Sequence, residues 1–364
     1  MQKIKVLLLS SAPNVHTKRW VRSLSEKGAE ILLFSFEDAD NDFYNAIKGV
    51  QVVSFGMNAH NFFEKLKYLG LVRKLKQCIK EFRPDILHAH YATGYGLVGA
   101  LSGFSPYIIS VWGSDVYDFP HTFPFAKYIL QWNLKKADRI LSTSRAMARE
   151  TARYTSKKIE ITPFGVDTEK FKKKEGLQPQ NDFVIGCVKT LNPTYGIDIL
   201  IKACKRVVEN NSSRSIRLVI FGKGSHQEAY LRLSRELGME KIVSFPGFID
   251  NDLLPDVYNS FSVAVFPSRS ESFGVAAVEA MACQCPVVCS DADGFAEVVK
   301  DRETGFLVPK ENVDATAAAI QRFIEDPMLR DTMGKAGRAR VEEFYVWDKN
   351  VDLMLEIYRQ SIGR

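Results

Sequence analysis

No uncharged apolar run in the chain approaches the ~20 residues that a membrane-spanning helix requires, which excludes a spanning segment of that kind. Cysteine is scarce: six residues, at 78, 187, 204, 283, 285 and 289, with no CxxC pair. Cys283, Cys285 and Cys289 are close together, but their spacing matches no common zinc pattern, so buried, reduced thiols are expected. Several phosphate and catalytic loops are missing too. The first apolar run, Val6–Leu9, is followed by SSAPNVHTKRW, which has no glycine and argues against a nicotinamide or flavin loop. There is no GxxxxGK[ST], no G-x-S-x-G and no HExxH. Three D-x-D pairs occur, Asp38/Asp40, Asp250/Asp252 and Asp291/Asp293. Such pairs are common on loops, and no metal site is expected at them.

What is present is ordinary for a globular protein: 46% hydrophobic and 25% charged residues in 364. That length predicts two domains. The start, MQKIKVLLLSSAPNVH, has too short an apolar stretch for a secretion signal and reads as a first buried strand, so a cytoplasmic location is expected. Charge is uneven. Residues 1–170 carry net +8 and the remainder −2, within a total of +6. A basic half suggests an anionic partner: a phosphorylated substrate, a membrane surface or nucleic acid. No nucleic-acid reader motif accompanies it, and nucleic acid is not expected.

Short apolar strands alternate with amphipathic helices, twice over. Segments 5–10, 31–36, 50–55, 85–90, 107–112 and 139–144 read as buried strands, with helices at Lys18–Lys27 and Phe62–Phe82 among the connections. Segments 183–188, 216–222, 242–247, 263–268, 286–290 and 305–309 repeat the pattern, with helices at Ile197–Asn210, Gln227–Leu237 and Val275–Cys283. Alternating β and α elements predict parallel sheets covered by helices, hence two doubly wound Rossmann-like domains. The polar segment 170–182 is the expected linker, dividing domains 1–170 and 171–345. Ligands are expected in the cleft between the carboxyl ends of the strands.

The most informative stretch is VAVFPSRSESFGVAAVEAMACQCPVV, 263–288. A buried strand ends at Phe266, a polar turn follows, and a helix opens at Phe273–Gly274. Free N–H groups at that helix start make an anion site, and Gly274 removes a side chain where a phosphate would approach. Glu271 and Glu279 flank it, roughly 12 Å apart along a helix. Carboxylates accept paired sugar hydroxyls, so this suits a nucleotide-sugar. A capping acid with a solvated helix charge is the plainer alternative.

This stretch resembles the signature of the retaining glycosyltransferases of family four (glycosyl transferases group 1), which have the GT-B fold: two glutamates with seven residues between, in a PS…E-x-F-G…EA-M-A…PVV context. The segments HAHYATGYG, WGSD, ITPFGVDTEKF, FGKG, FPGFID, GFAEVV and TGFLV resemble the same family in the same order, over nearly the whole chain. The resemblance implies an acceptor-binding N-terminal domain, a donor-binding C-terminal domain, and a C-terminal helix, about 346–364, packing back on the first. It implies that Glu279 binds ribose hydroxyls and Glu271 those of the transferred sugar. The N–H groups of Phe273, Gly274 and Val275 hold the diphosphate, with Ser272 also a donor-binding residue, Phe248 and Ile249 hold the base edge, and Gly222 and Lys223 lie beside the diphosphate.

There are departures. In VKTLNPTYG, Tyr195 stands where the family has a lysine. Lys189 or, with a one-residue shift, Thr190 stands where it has an arginine. Lys189 is the better candidate because a leaving phosphate needs a fixed cation, with Lys223 or Arg269 as support. In the first domain Trp112 occupies a region where the family often has a histidine. Asp115 is a candidate to accept a hydroxyl or orient the acceptor, and His16, His90 and Trp112 are candidate acceptor contacts. Gln284 stands where the family often has glycine.

The implied reaction transfers a sugar, with retention and without metal or cofactor, from a nucleoside diphosphate sugar to a hydroxyl. The donor is a uridine diphosphate sugar first and a guanosine diphosphate sugar second. Its catalytic residues are Lys189, Glu271 and Asp115. Aromatic–basic helices at 61–84 and 123–139 suit an anionic membrane surface and a lipid-linked or glycan acceptor in surface polysaccharide assembly. Packing helices with solvated faces are the alternative there. Alternatives for the whole chain are a nucleotide-sugar-binding partner subunit without transferase activity, favoured by Tyr195, and a sugar-nucleotide epimerase on the same fold.

Overall fold

The computed structural model describes residues 3–57, 68, 70–177 and 181–363. It comprises two compact units: Met1–Pro163 with Asp348–Arg364, and Phe164–Trp347. The boundary expected at 170/171 thus falls inside the second unit.

The first unit is built on seven strands: β1 (Lys5–Leu9), β2 (Glu30–Ser35), β3 (Val50–Ser54), β4 (Ile86–His90), β5 (Tyr107–Val111), β6 (Arg139–Ser142) and β7 (Ile159–Ile161). Their spatial order is β3-β2-β1-β4-β5-β6-β7, and every pairing is parallel. The central strands are near-continuous apolar runs because helices cover both faces of a parallel sheet. β1 reads KVLLL and β5 YIISV, buried along nearly their whole length. β7 was not foreseen: it has three residues, and its Glu160 projects to Arg139. The order reverses between β1 and β4, so the loops after Leu9 and His90 meet at the switch point of the sheet.

The second unit repeats the plan with β8 (Phe183–Val188), β9 (Ile216–Phe221), β10 (Val243–Gly247), β11 (Val263–Phe266), β12 (Val287–Ser290) and β13 (Phe306–Val308). The order is β10-β9-β8-β11-β12-β13, again parallel throughout. Here the switch point lies between β8 and β11, which places the loops after Val188 and Phe266 side by side.

Helix starts carry the expected caps. Asn14 accepts from the His16 N–H at 2.8 Å to open Val15–Glu26, and Asn312 accepts from Ala315 at 2.8 Å to open Val313–Glu325. Asp326 and Pro327 open the long helix Pro327–Phe344. Gly337 of that helix packs on Met281 of the helix Val275–Ala282, whose alanines allow close approach. The helix expected at Phe62–Phe82 is present as Leu71–Phe82; residues 62–67 and 69, and most of the 61–70 part of the aromatic–basic stretch, lie outside the described residues.

The last helix, Trp347–Ile362, contributes all but its first residue to the first unit. Tyr358 Oη lies 2.7 Å from His88 Nδ1, and Arg139 Nη1 donates to the Ile357 carbonyl at 2.9 Å. The cysteines are free thiols, and all but the half-buried Cys78 are buried.

Candidate functional site

In the second unit, Lys189 directly follows β8 and its N–H extends the ladder to the Phe221 carbonyl at 3.0 Å. Its side chain runs under the β11–helix loop and forms an ion pair with Glu271 Oε2. Both side chains are nearly buried, 10% and 11% exposed. Burial alone pushes the Lys189 ammonium toward neutrality, but the charge and hydrogen bond of Glu271 outweigh it and hold the pKa above the usual lysine value. Tyr195 stands beside the same cation, its ring centroid 4.8 Å from Nζ, with Phe295 at 5.5 Å. The position where the family has a second cation therefore supplies an aromatic face to the first.

The loop carrying Glu271 is pinned from behind. Gly294 donates its N–H to the Glu271 carbonyl at 3.0 Å, and a side chain at 294 would strike Phe273 N and Glu271 O. Phe273 is buried against the rings of Phe164 and Tyr345. The helix Val275–Ala282 then begins without a side-chain cap, with Ala277 and Val278 returning their N–H groups to the Gly274 carbonyl at 3.0 and 3.2 Å. The N–H groups ahead of them have no helical acceptor and mark an anion-binding end. Ser272 and Val275 lie on this turn, half-buried. Further along the helix, Glu279 accepts from Tyr258 Oη at 2.9 Å.

Two glycines have a reason within the chain itself. At Gly274 φ is +99°, and a Cβ there would meet the Phe295 ring at 2.6 Å. Gly222, at φ +140°, is needed because a Cβ would collide with the Lys189 carbonyl. Both glycines let the chain approach itself. Lys223 is exposed, and its carbonyl accepts from Leu191 at 3.1 Å. Gly222 bonds Gly247 at 2.8 Å, so Phe248, 66% exposed, and half-buried Ile249 follow the neighbouring strand end. Among the described residues no hydrogen bond or ring contact joins them to Lys189 or Glu271. Arg269 is not a free second cation either. It donates twice to Asp198, at 3.0 and 2.9 Å, and once to Glu311 at 3.0 Å, and its donation to the Pro193 carbonyl fixes the Pro193–Tyr195 turn. Sequence reasoning missed that brace and Tyr258, because partners so far apart in the chain leave no local signal.

The first unit gathers its own cluster at its switch point. His90 ends β4 with Nδ1 3.0 Å from Ser10 Oγ, which in turn lies 2.6 Å from Thr17 Oγ1. The His90 ring lies 4.3 Å from that of Trp112, and His16 meets Trp112 at 6.0 Å, edge-on. His16, His90 and Trp112 are thus brought together. Burial, with Arg19 adding to it, lowers the His16 pKa to about 4. Burial also takes His90 well below the usual value and His88 to about 3. All three are neutral near pH 7, able to hydrogen-bond but not to carry charge.

Asp115 is corrected. It is 1% exposed, and its carboxylate accepts the N–H groups of Ala92 at 2.9 Å, Trp112 at 3.1 Å and Gly113 at 2.8 Å. It ties the β4 and β5 loops together and presents no free oxygen to a substrate hydroxyl, so it is a positioning residue. One member of each D-x-D pair has a partner: Asp40 pairs with Lys18, Asp252 with Lys170, and Asp291 accepts the Lys310 N–H.

Two doubly wound parallel α/β units, one with a lysine–glutamate pair at its switch point, make this a GT-B fold. A family model described as "Glycosyl transferases group 1" matches residues 167–340, and one described as "Glycosyl transferase 4-like" matches residues 5–144. The two matches together span most of the chain, and both are to glycosyl transferase models. The chain is 34% identical over 246 residues to a D-inositol 3-phosphate glycosyltransferase of Kribbella flavida, covering 63% of this chain and 58% of that protein. In structure it is similar to the sucrose-phosphate synthase of Thermosynechococcus elongatus, with TM-score 0.84 and 23% identity over 98% of this chain and 99% of that one. It is also similar to Anabaena HepE in complex with UDP-glucose, with TM-score 0.79 and 21% identity over 98% and 100%. No described helix is long and apolar enough to cross a membrane.

Proposed function

We propose that the protein is a retaining hexosyltransferase that moves a sugar from a nucleoside diphosphate sugar to a hydroxyl of a glycan or lipid-linked acceptor in surface polysaccharide assembly. The donor is a uridine diphosphate sugar, with a guanosine diphosphate sugar second. The carrying observation is the buried Lys189–Glu271 pair beside the uncapped helix start at Gly274. The structural likeness to a protein that holds UDP-glucose supports the choice of base.

The second unit binds the donor and the first the acceptor. Charge develops on the departing diphosphate in an oxocarbenium-like transition state. Lys189 and the N–H groups of Phe273, Gly274 and Val275 stabilise it, with Ser272 and Lys223 at the rim. Glu271 takes hydroxyls of the transferred sugar and Glu279 those of the ribose. The backbone at Phe248 and Ile249 borders the base. A leaving phosphate oxygen takes the acceptor proton on the same face, so no side-chain nucleophile is called for. With the charge met by a lysine and backbone donors, no metal is required. His16, His90 and Trp112 contact the acceptor as neutral polar and aromatic groups.

Location at the inner face of the cell membrane is supported by the helix Ala126–Lys136. Phe125, Tyr128 and Trp132 stand out along it, 70%, 65% and 36% exposed, beside exposed Lys127, Lys135 and Lys136. Such a face suits anionic lipid. The partner-subunit reading keeps one specific support: Tyr195 removes a cation and Arg269 is committed to Asp198 and Glu311. One assay decides between them. Purified protein is incubated with a panel of uridine, guanosine and adenosine diphosphate sugars, with and without chelator, and released nucleoside diphosphate is measured. Chelator-resistant release from one donor, lost in Glu279→Ala, is expected. Binding of a nucleoside diphosphate with no release, whatever acceptor glycan is added, points to the partner subunit.

A further inference from the structure

At the amino ends of the strands of the second unit, a cavity of about 270 Å³ opens beside Phe183 and Pro286, which begin β8 and precede β12. β8 spans six residues, about 20 Å, so the cavity lies on the opposite edge of the sheet from Lys189. Three cations face it: Lys173, Arg214 and Arg330. Two carboxylates also line it, but each is engaged by a cation that does not. Asp182 pairs with Arg217 at 3.2 Å, and Asp331 with Lys335 at 2.6 Å. Among the described residues, no carboxylate pairs with Lys173, Arg214 or Arg330.

The two guanidiniums are held in place. Arg214 Nη1 donates to the Ile324 carbonyl at 2.8 Å, and among the described residues its other guanidinium donors have no acceptor. Arg330 Cζ lies 5.4 Å from the centroid of the Phe183 ring, a cation–π contact and not an ion pair. Burial, and then the like charge of Arg214, hold the Arg330 pKa below its usual value. Two cations kept this close without an anion between them repel each other. Gln284 closes the rim from a left-handed backbone, φ +57°, where glycine would be less strained. A side chain is retained at a position whose backbone favours none.

We infer that this cavity binds a small phosphate dianion, either inorganic phosphate or the phosphate of a sugar monophosphate, through Lys173, Arg214 and Arg330 with Gln284 at the rim. Its volume is near the roughly 300 Å³ lower bound of small-molecule sites, which suits a phosphate or a hexose phosphate and not a nucleotide. The site is separate from the proposed donor site and does not depend on that reading.

The test is calorimetric titration of the full chain with inorganic phosphate and with glucose 6-phosphate, at constant ionic strength set by chloride. Saturable binding of one of them is expected, and whichever binds tighter identifies the source of the phosphate. Arg330→Gln and Lys173→Gln are each expected to weaken it about tenfold or more, the usual effect of losing a charge-assisted hydrogen bond. Lys173 is only partly buried, so its variant reads the site even if Arg330→Gln fails to fold. Gln284→Gly is expected to raise the thermal midpoint while weakening phosphate binding, a pair of opposite signs that a purely structural role does not give. No saturable binding of either anion at millimolar concentration, or identical isotherms in all variants, overturns the inference.

Discussion

Replacing Glu271 with alanine strands the Lys189 ammonium. That side chain is 10% exposed, its cationic end is bounded by the rings of Tyr195, Phe295 and Phe266, and Glu271 is its ion-pair partner. Breaking a buried pair by removing one member costs roughly 3–5 kcal/mol, because the remaining charge is left in a poorly solvated place. The slight exposure of both groups favours the lower end, about 3 kcal/mol. Lys189→Met leaves the carboxylate stranded instead and should cost a similar amount. The double variant removes both charges, so it should be more stable than the sum of the singles by roughly 1–3 kcal/mol. Urea unfolding of the four proteins, followed by fluorescence, reads this cycle directly. Two singles that each cost under about 1 kcal/mol and add without coupling would refute a buried, mutually dependent pair. The pH dependence has a defined sign. The Lys189 pKa is raised above 10.5, so its contribution is fully present below pH 10.5 and is lost as the pH rises through the raised value.

Turnover in Lys189→Met, measured with the donor identified by the panel, is expected to fall roughly 10²–10³-fold, the usual effect of removing a donor to developing charge. Asp115→Asn should cost about 1–3 kcal/mol in urea unfolding, because three backbone N–H groups lose a charged acceptor; unchanged stability would contradict its role in tying the two loops. The His88 pKa drops from 6.5 to about 3 on folding, so its contribution is complete above pH 6.5 and is lost as pH falls toward 3. Stability measured across that range should fall more steeply in the parent than in a folded His88→Gln variant. Gly274→Ala should destabilise the protein by well over 1 kcal/mol in thermal unfolding, since strain at φ +99° adds to a clash with Phe295.

The architecture was legible because period and length carry it. Runs such as KVLLL and FVIGCV are too short for buried helices and too apolar for one-sided strands, and helices of amphipathic pattern separate them. β7 escaped because three residues with a charge at the centre give no period. The helix at the end of the chain was foreseen, but its hydrogen bonds through Tyr358 and Arg139 join residues more than two hundred positions apart, which no window reads.

The site was legible through its motif more than its chemistry. Lys189 and Glu271 are 82 residues apart, and only the switch point of the sheet brings them together. Glycine was the most ambiguous residue. A missing Cβ signals close approach but does not say by what, and at 222 and 274 the intruder is the protein's own backbone or a phenylalanine ring. Asp115 misled for a related reason: a carboxylate after a strand resembles a hydroxyl acceptor until the Ala92 N–H, 23 residues away, is seen to occupy it. Gln284 is the converse case. The family's usual glycine there corresponds to a backbone at φ +57°, so the departure is a real conformational exception.

The most direct test of the donor site is calorimetric titration of uridine and guanosine diphosphate into the parent protein, Lys189→Met and Glu279→Ala. The account predicts one-to-one binding of one of the two by the parent. Loss of the phosphate contact in Lys189→Met and of the ribose contact in Glu279→Ala should each weaken it about tenfold or more. Parent-like affinity in both variants, or no binding of either nucleotide by the parent, would contradict a donor site at the β8–β11 switch point.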